Sequence, residues 1–129
     1  MPTILVVDDE PSVRRAVQRV LAGGGMTVIE SGSASDALAV IGGTQRIDAV
    51  VCDVLMPEIS GLAFYDALVK QAPELRHRVV FLTGLAHDPS VHDPIEQRGV
   101  PLVSKLDDLR LVGDAVRVAL LRSMPAPPS

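Results

Sequence analysis

Acidic, hydroxyl and basic side chains stand directly after short apolar segments of this sequence. Asp8 and Asp9 follow TILVV, Asp53 follows AVVC, Thr83 follows VVFL, and Lys105 follows VPLVS. If these segments are parallel strands, their carboxyl ends meet at one edge of a sheet, where ligands bind in such folds. Two carboxylates about 4 Å apart repel by ~4 kcal/mol at an effective dielectric near 20. The spacing therefore favours a site that takes a cation.

The residue types fit magnesium-assisted phosphoryl transfer. Three carboxylates beside carbonyl oxygens suit Mg²⁺, which also takes phosphate oxygens. Lys105 is one of two lysines against ten arginines, and with a metal it can neutralise the equatorial phosphoryl oxygens. Asp53 is the predicted nucleophile, because a carboxylate can attack phosphorus to form an acyl phosphate. The Thr83 hydroxyl can hydrogen-bond the new phosphoryl oxygens.

Each of these residues also has an ordinary structural interpretation. Asp8 and Asp9 alone suit a helix N-terminus. Asp53 alone could cap the turn before Pro57, and Lys105 could be a solvated lysine. Their common position after apolar segments favours the shared site.

The elements that must position these residues alternate along the chain. Continuous β-branched runs are typical of parallel strands buried on both faces. Amphipathic helix patterns lie between the runs, which predicts five βα units and a parallel sheet with helices on both faces. The predicted strands are Thr3–Val7, Met26–Ile29, Ala49–Cys52, Val79–Leu82 and Val100–Val103.

Capping residues predict where the helices begin. The predicted starts are Pro11, Ser33 with Asp36, Ser60 and Asp107. The fourth helix has two start signals, Asp88 before Pro89 and Asp93, with Glu96, before Pro94. Because Pro94 lacks an N–H and clashes with the preceding turn, we expect a short or kinked helix ending near Gly99.

Composition bounds the function. A chain of 129 residues fits one domain, and a net charge of −4 argues against a nucleic-acid binder. No stretch approaches the ~20 apolar residues of a membrane span. The single cysteine, Cys52, agrees with a reducing cytoplasm. Residues 123–129 are predicted to be a disordered tail or linker stub.

The arginines of the first helix have two interpretations. Arg14, Arg15 and Arg19 lie opposite its apolar positions. They are most simply a solvated face, but they could also help dock a histidine-containing phosphodonor.

Taken together, these motifs resemble the response-regulator receiver domain of bacterial two-component signalling. The matching text is VVDDEP at 6–11, DAVVCDVLMPEISG at 48–61, VVFLTG at 79–84 and PLVSK at 101–105. The resemblance implies a flavodoxin-like (βα)5 receiver domain over residues 1–122, with strand order 2-1-3-4-5. It also implies a signalling domain rather than a turnover enzyme, with a histidine kinase or phosphotransfer protein as donor and a downstream effector.

The resemblance assigns roles to individual residues. Asp53 is the phosphoacceptor, Asp8, Asp9, Asp53 and the backbone carbonyl of Leu55 hold Mg²⁺, and Thr83 and Lys105 contact the phosphoryl group.

Four leucines bear on how such a site would work. Leu102 and Leu106 stand where receivers usually have an aromatic residue and a proline. A cis bond to a non-proline costs about 2.5–4 kcal/mol, so we predict a trans Lys105–Leu106 bond. Leu55 and Leu85 cannot orient an attacking water, which predicts slow self-dephosphorylation.

Other functions fit less well. The missing aromatic and proline leave open an interaction module that is read without phosphorylation. An aspartyl phosphatase would carry D-x-D after the first strand, whereas Asp8 and Asp9 are adjacent. A flavin or dinucleotide site would need a loop rich in glycine or hydroxyl residues there.

Overall fold

A computed structural model describes residues 1–122, so the tail predicted for residues 123–129 lies outside the described residues. Strands and helices alternate through this part of the chain, which confirms the five βα units. In chain order they are β1 (Thr3–Val7), α1 (Pro11–Gly23), β2 (Thr27–Ser31), α2 (Ala34–Ile41), β3 (Ala49–Asp53), α3 (Gly61–Gln71), a 3₁₀ turn (Pro73–Leu75), β4 (Val79–Thr83), α4 (Pro89–Gln97), β5 (Leu102–Ser104) and α5 (Arg110–Leu121).

The strands form one parallel sheet in the order β2-β1-β3-β4-β5. The flavodoxin-like order implied by the resemblance is therefore confirmed. β3 and β4 are buried at every residue, whereas β2 is an edge strand with exposed positions. The strand order reverses between β1 and β3, so a crevice opens beyond their carboxyl ends.

Two aliphatic cores cover the two faces of the sheet. Alternate residues of β1 point to opposite faces, as the strand pleat requires. Leu5 and Val7 pack with α2, α3 and α4, whereas Ile4 and Val6 pack with α1 and α5. Within residues 1–122, no helix has the length and apolar composition needed to cross a bilayer.

For each of the last two helices, one predicted start signal is wrong. Asp88 caps α4 by accepting hydrogen bonds from the amide and hydroxyl of Ser90, so the capping box predicted at Asp93 is wrong. The helix α4 has nine residues and contains Pro94, which confirms the prediction that this helix is short. The cap predicted at Asp107 is also wrong, because α5 begins only at Arg110, whereas Asp107 lies in a turn that its amide closes onto Ser104. Asp108 instead accepts the amide of Arg110 at the start of α5.

Other local predictions hold. The hydroxyls of Ser33 and Ser60 accept amide hydrogen bonds from residues three positions later and cap α2 and α3. β2 and β5 begin and end one or two residues later than predicted. The peptide bonds described are all trans, which confirms the trans bond between Lys105 and Leu106.

Candidate functional site

Three strand ends bring two carboxylates and one ammonium into contact. Asp8 follows β1, Asp53 ends β3, and Lys105 follows β5. The Lys105 Nζ lies 3.1 Å from Asp53 Oδ2 and 3.2 Å from Asp8 Oδ2. The predicted meeting of these residues at one edge of the sheet is found in the structure. Glu10, which the sequence did not single out, also lies 3.6 Å from Nζ through its Oε1.

Asp53 is held at the centre of this group. Its side chain is 5% exposed, and its Oδ2 accepts a hydrogen bond from Lys105. Its Oδ1 accepts the amide hydrogen of Leu55 at 3.2 Å. One carboxylate oxygen is thus fixed by the chain that follows β3, while the other faces the ammonium.

Asp8 is fixed through its backbone as well as its side chain. Its amide donates to the carbonyl of Ser31 at the end of β2, and its Oδ1 accepts the amide of Glu10 at 2.9 Å. Its Oδ2 is buried and has Lys105 Nζ as an ion-pair partner at 3.2 Å, although the geometry is not that of a good hydrogen bond. Because the same ammonium donates its hydrogen bond to Asp53, one positive charge faces two buried carboxylates, which is costly unless a further cation reaches them.

Burial and crowding shift the proton affinities of these groups. Burial raises the pKa of Asp8, and the charge of Asp9 adds to this. Burial also raises the pKa of Asp53, with a further contribution from the charge of Asp8. Burial alone would lower the pKa of Lys105, but its contacts with Asp53 and Asp8 outweigh this, so its pKa is raised. The ammonium does not fully offset the carboxylates.

The donor set fits a magnesium ion. Asp8, Asp9, Glu10 and Asp53 each offer an oxygen atom, and these atoms lie within 4.8 Å of one another. Mg²⁺ prefers carboxylate oxygens and retains several waters. The observation that most favours a cation here is that the buried Asp8 and Asp53 share the ammonium of Lys105, which leaves negative charge in excess. The carbonyl of Leu55 remains a predicted ligand. A sequence signal for Glu10 existed, since it completes the run DDE.

Thr83 borders this site from β4. Asp53 lies opposite Leu82 in the sheet, so Thr83 ends its strand one residue beyond. Its side chain is buried, and its Oγ1 accepts the amide of Leu85 at 3.1 Å. Exposed leucines are found on the loops that follow β3, β4 and β5. They are Leu55, Leu85 and Leu106, which are 53%, 46% and 84% exposed.

The three arginines of α1 differ in their exposure to solvent. Arg15 and Arg19 are exposed, as predicted for a solvated face. Arg14 is not, because its side chain is only 19% exposed and lies 3.4 Å from Glu30 Oε1 through its Nε. Its Nη1 donates to the Asp8 carbonyl at 2.7 Å. The solvated interpretation is therefore wrong for Arg14.

Comparisons with known proteins agree with this geometry. The family described as "Response regulator receiver domain" matches residues 4–116. A sensor kinase, CckA, of Brucella abortus is 38% identical over 67% of this chain and 9% of its own length. A probable transcriptional regulatory protein, TcrX, of Mycobacterium tuberculosis is 36% identical over 82% of this chain and 41% of its own length.

Solved structures share the fold. The chemotaxis protein CheY4 of Vibrio cholerae has a TM-score of 0.81 at 24% identity, covering 92% of this chain and 98% of that one. A receiver domain protein of Methanospirillum hungatei has a TM-score of 0.81 at 20% identity, covering 93% and 94%. By contrast, the chain spans less than half the length of the first curated relatives it matches.

Proposed function

Because this chain belongs to the response regulator receiver family of two-component systems, we propose that Asp53 accepts a phosphoryl group from a histidine kinase or a histidine phosphotransfer protein. The observation that carries the proposal is the meeting of Asp53 and Asp8 at Lys105 Nζ, at 3.1 and 3.2 Å. A nucleophilic carboxylate needs a nearby positive charge to receive a dianionic group.

The chemical step forms one bond and breaks another. A carboxylate oxygen of Asp53 attacks phosphorus, and the P–N bond to the donor histidine breaks. The bonding electron pair returns to the imidazole nitrogen of the donor. Lys105 Nζ stabilises negative charge on the phosphoryl oxygens, and the hydroxyl of Thr83 donates a hydrogen bond to one of them. The amide of Leu55 orients the Asp53 carboxylate.

We propose that Asp8, Asp9, Asp53 and the Leu55 carbonyl hold Mg²⁺. When bound, the ion offsets negative charge on the carboxylates and on the phosphoryl oxygens. The raised pKa values of Asp8 and Asp53 support this assignment, since their excess negative charge has no other full compensation among residues 1–122.

The proposal extends to the role of the chain. Residues 1–122 act as a cytoplasmic receiver domain that catalyses its own phosphorylation and dephosphorylation without being a turnover enzyme. A downstream effector protein or domain reads the phosphorylated state. The lengths of the relatives support this role, because this chain matches only part of a kinase and part of a transcriptional regulator.

Intact mass spectrometry tests the proposal. Incubation with acetyl phosphate and Mg²⁺ is expected to add the mass of one phosphoryl group. The addition is expected to disappear in Asp53→Asn and in excess chelator, and to persist in Glu74→Gln, an exposed acid in the turn before β4. A full addition in Asp53→Asn, or none in the wild type with any phosphodonor, would overturn the assignment.

The comparisons do not favour the alternative considered from the sequence, an interaction module that is read without phosphorylation. An unmodified wild-type chain that still binds its effector would favour it.

A further inference from the structure

Arg14 joins the edge strand to the acidic site. Its Nη1 donates to the Asp8 carbonyl at 2.7 Å. Its Nε lies 3.4 Å from Oε1 of Glu30, near the end of β2. The guanidinium also lies beside Gly32, where an added Cβ would stand 3.4 Å from Nη1. One mostly buried side chain therefore touches both β2 and the loop that carries the acids.

The carbonyl that Arg14 holds belongs to the peptide group between Asp8 and Asp9. The orientation of this peptide group sets the direction of both neighbouring side chains. The Asp8 amide is held at the same time by the carbonyl of Ser31. The backbone of the acidic pair is thus fixed from both sides by contacts to β2 or to a side chain that β2 anchors.

We propose that Arg14 is a positioning residue for the cation site, acting through the Asp8–Asp9 peptide group. The inference rests on the proposed magnesium site and deepens it. Groups that orient metal ligands affect metal affinity about 10–100-fold when they are replaced. The edge strand β2 supplies none of the proposed ligands. Through the contact of Glu30 with Arg14, it helps to position them.

Electrostatics alone predicts the opposite result, which makes the proposal testable. Arg14 carries a positive charge near the carboxylates, so its removal should tighten Mg²⁺ binding if charge is all that matters. Loss of positioning should weaken binding instead. The neighbouring Arg15 is exposed and makes no ion pair among the described residues, so Arg15→Met reports the effect of removing a charge from the same helix.

Magnesium titrations followed by amide NMR measure the affinity directly. We expect Arg14→Met to bind Mg²⁺ about tenfold more weakly than the wild type, and Arg15→Met to bind equally or slightly more tightly. Saturating Mg²⁺ should restore the phosphorylation rate of Arg14→Met with acetyl phosphate. Equal affinities of the two variants would overturn the inference and leave the proposed function intact, whereas a wild type that binds no Mg²⁺ would overturn both.

A charge-conserving pair covers the case in which Arg14→Met does not fold, as judged by circular dichroism. Lysine keeps the charge but lacks the planar fork that reaches two partners. Arg14→Lys is then expected to bind Mg²⁺ at least about threefold more weakly than Arg15→Lys. Equal binding by these two variants would overturn the inference.

Discussion

At the scale of single residues, the site holds more negative than positive charge. Lys105 is shared by Asp8, Asp53 and the more distant Glu10. Because both aspartates are buried and close, ionising them together costs free energy in the folded state that it does not cost in the unfolded chain. This cost links the stability of the domain to pH and to cations.

Replacing Asp8 with asparagine should stabilise the metal-free protein at neutral pH. Asparagine keeps an oxygen for the Glu10 amide and leaves Lys105 its hydrogen bond to Asp53. The pKa of Asp8 is raised by burial above its unfolded value near 3.8. Between the unfolded and the folded pKa of Asp8, the folded state therefore binds more protons than the unfolded chain. The free energy of unfolding falls as the pH rises through this interval. At a pH above both pKa values Asp8→Asn should therefore have a higher free energy of unfolding than the wild type, and below both values the two proteins should be equally stable.

Urea unfolding in chelator across this pH range measures the gain. Glu74→Gln removes an exposed charge at the other end of the sheet and should leave the free energy of unfolding unchanged. The charge argument is wrong if Asp8→Asn is the less stable protein at pH 7 without metal.

Leu55 should control how long the phosphoryl group survives. Its side chain is 53% exposed beside Asp53 and cannot hold a water for attack. Leu55→Asn supplies a group that can orient such a water, so we expect phosphoryl loss to be about tenfold faster, a change of about 1.4 kcal/mol in the barrier. Decay of the phosphorylated protein, followed by intact mass, gives the rate.

Ile59→Asn is the matched control, because Ile59 is a partly exposed apolar residue of the same loop. Unchanged decay in Leu55→Asn, or equal acceleration in both variants, would show that the residue at position 55 does not govern hydrolysis.

At the scale of elements, the junction between β3 and α3 depends on a close backbone approach. An added Cβ at Gly61 would collide with the carbonyl oxygen of Asp53 and lie 2.9 Å from the Cα of Val54. Backbone atoms cannot move aside as a flexible side chain can. Gly61→Ala should therefore destabilise the fold by about 2 kcal/mol and displace the end of the strand that carries Asp53.

Gly23→Ala provides the control for this junction. Gly23 is the last residue of α1, and nothing lies within 4 Å of an added Cβ. The exchange should be neutral or stabilise by about 0.5 kcal/mol. Chemical denaturation of both variants measures the difference, and equal stabilities would show that the β3–α3 junction has room to adjust.

Local sequence signals predicted the helices well where nothing competed for the capping residue. Ser33 and Ser60 cap α2 and α3 as expected. Asp107 does not cap α5, because it lies in the turn after β5 and the helix begins only at Arg110. For α4, two Asp-Pro signals were equivalent on paper, and only the packing of Val91 and Ile95 into the core selects the longer helix.

At the scale of the whole molecule, the strand order explains what the sequence could predict about the site. Asp8, Asp53 and Lys105 are far apart in the chain, yet they follow strands whose carboxyl ends must share one edge of a parallel sheet. The support from β2 was not predictable in the same way. Arg14 looks like any helix arginine in sequence, and its contact with Asp8 depends on how α1 packs against Glu30.

The same architecture indicates how a signal would leave the site. Thr83 Oγ1 now accepts the amide of Leu85 at 3.1 Å. A hydroxyl that turns to donate to a phosphoryl group disturbs this contact, so the loop after β4 should respond first. A shift from 1% to 99% active needs about 5.5 kcal/mol of bias. Receivers usually have an aromatic residue at position 102, but here it is Leu102, an aliphatic residue packed beside α4. It has no aromatic ring whose movement would transmit a change at the site to the outer surface.

We therefore predict that a beryllofluoride phosphoryl mimic with Mg²⁺ shifts the amide NMR signals of residues 84–88 strongly and those of α5 weakly. Thr83→Ala should lose most of the shift in the loop while still binding the mimic, whereas Thr27→Ala on the exposed edge of β2 should behave as wild type. Leu102→Phe should extend the response toward α5. A strong α5 response in the wild type would contradict this prediction. It would show that β5 and α5 move with the loop although position 102 carries no aromatic side chain.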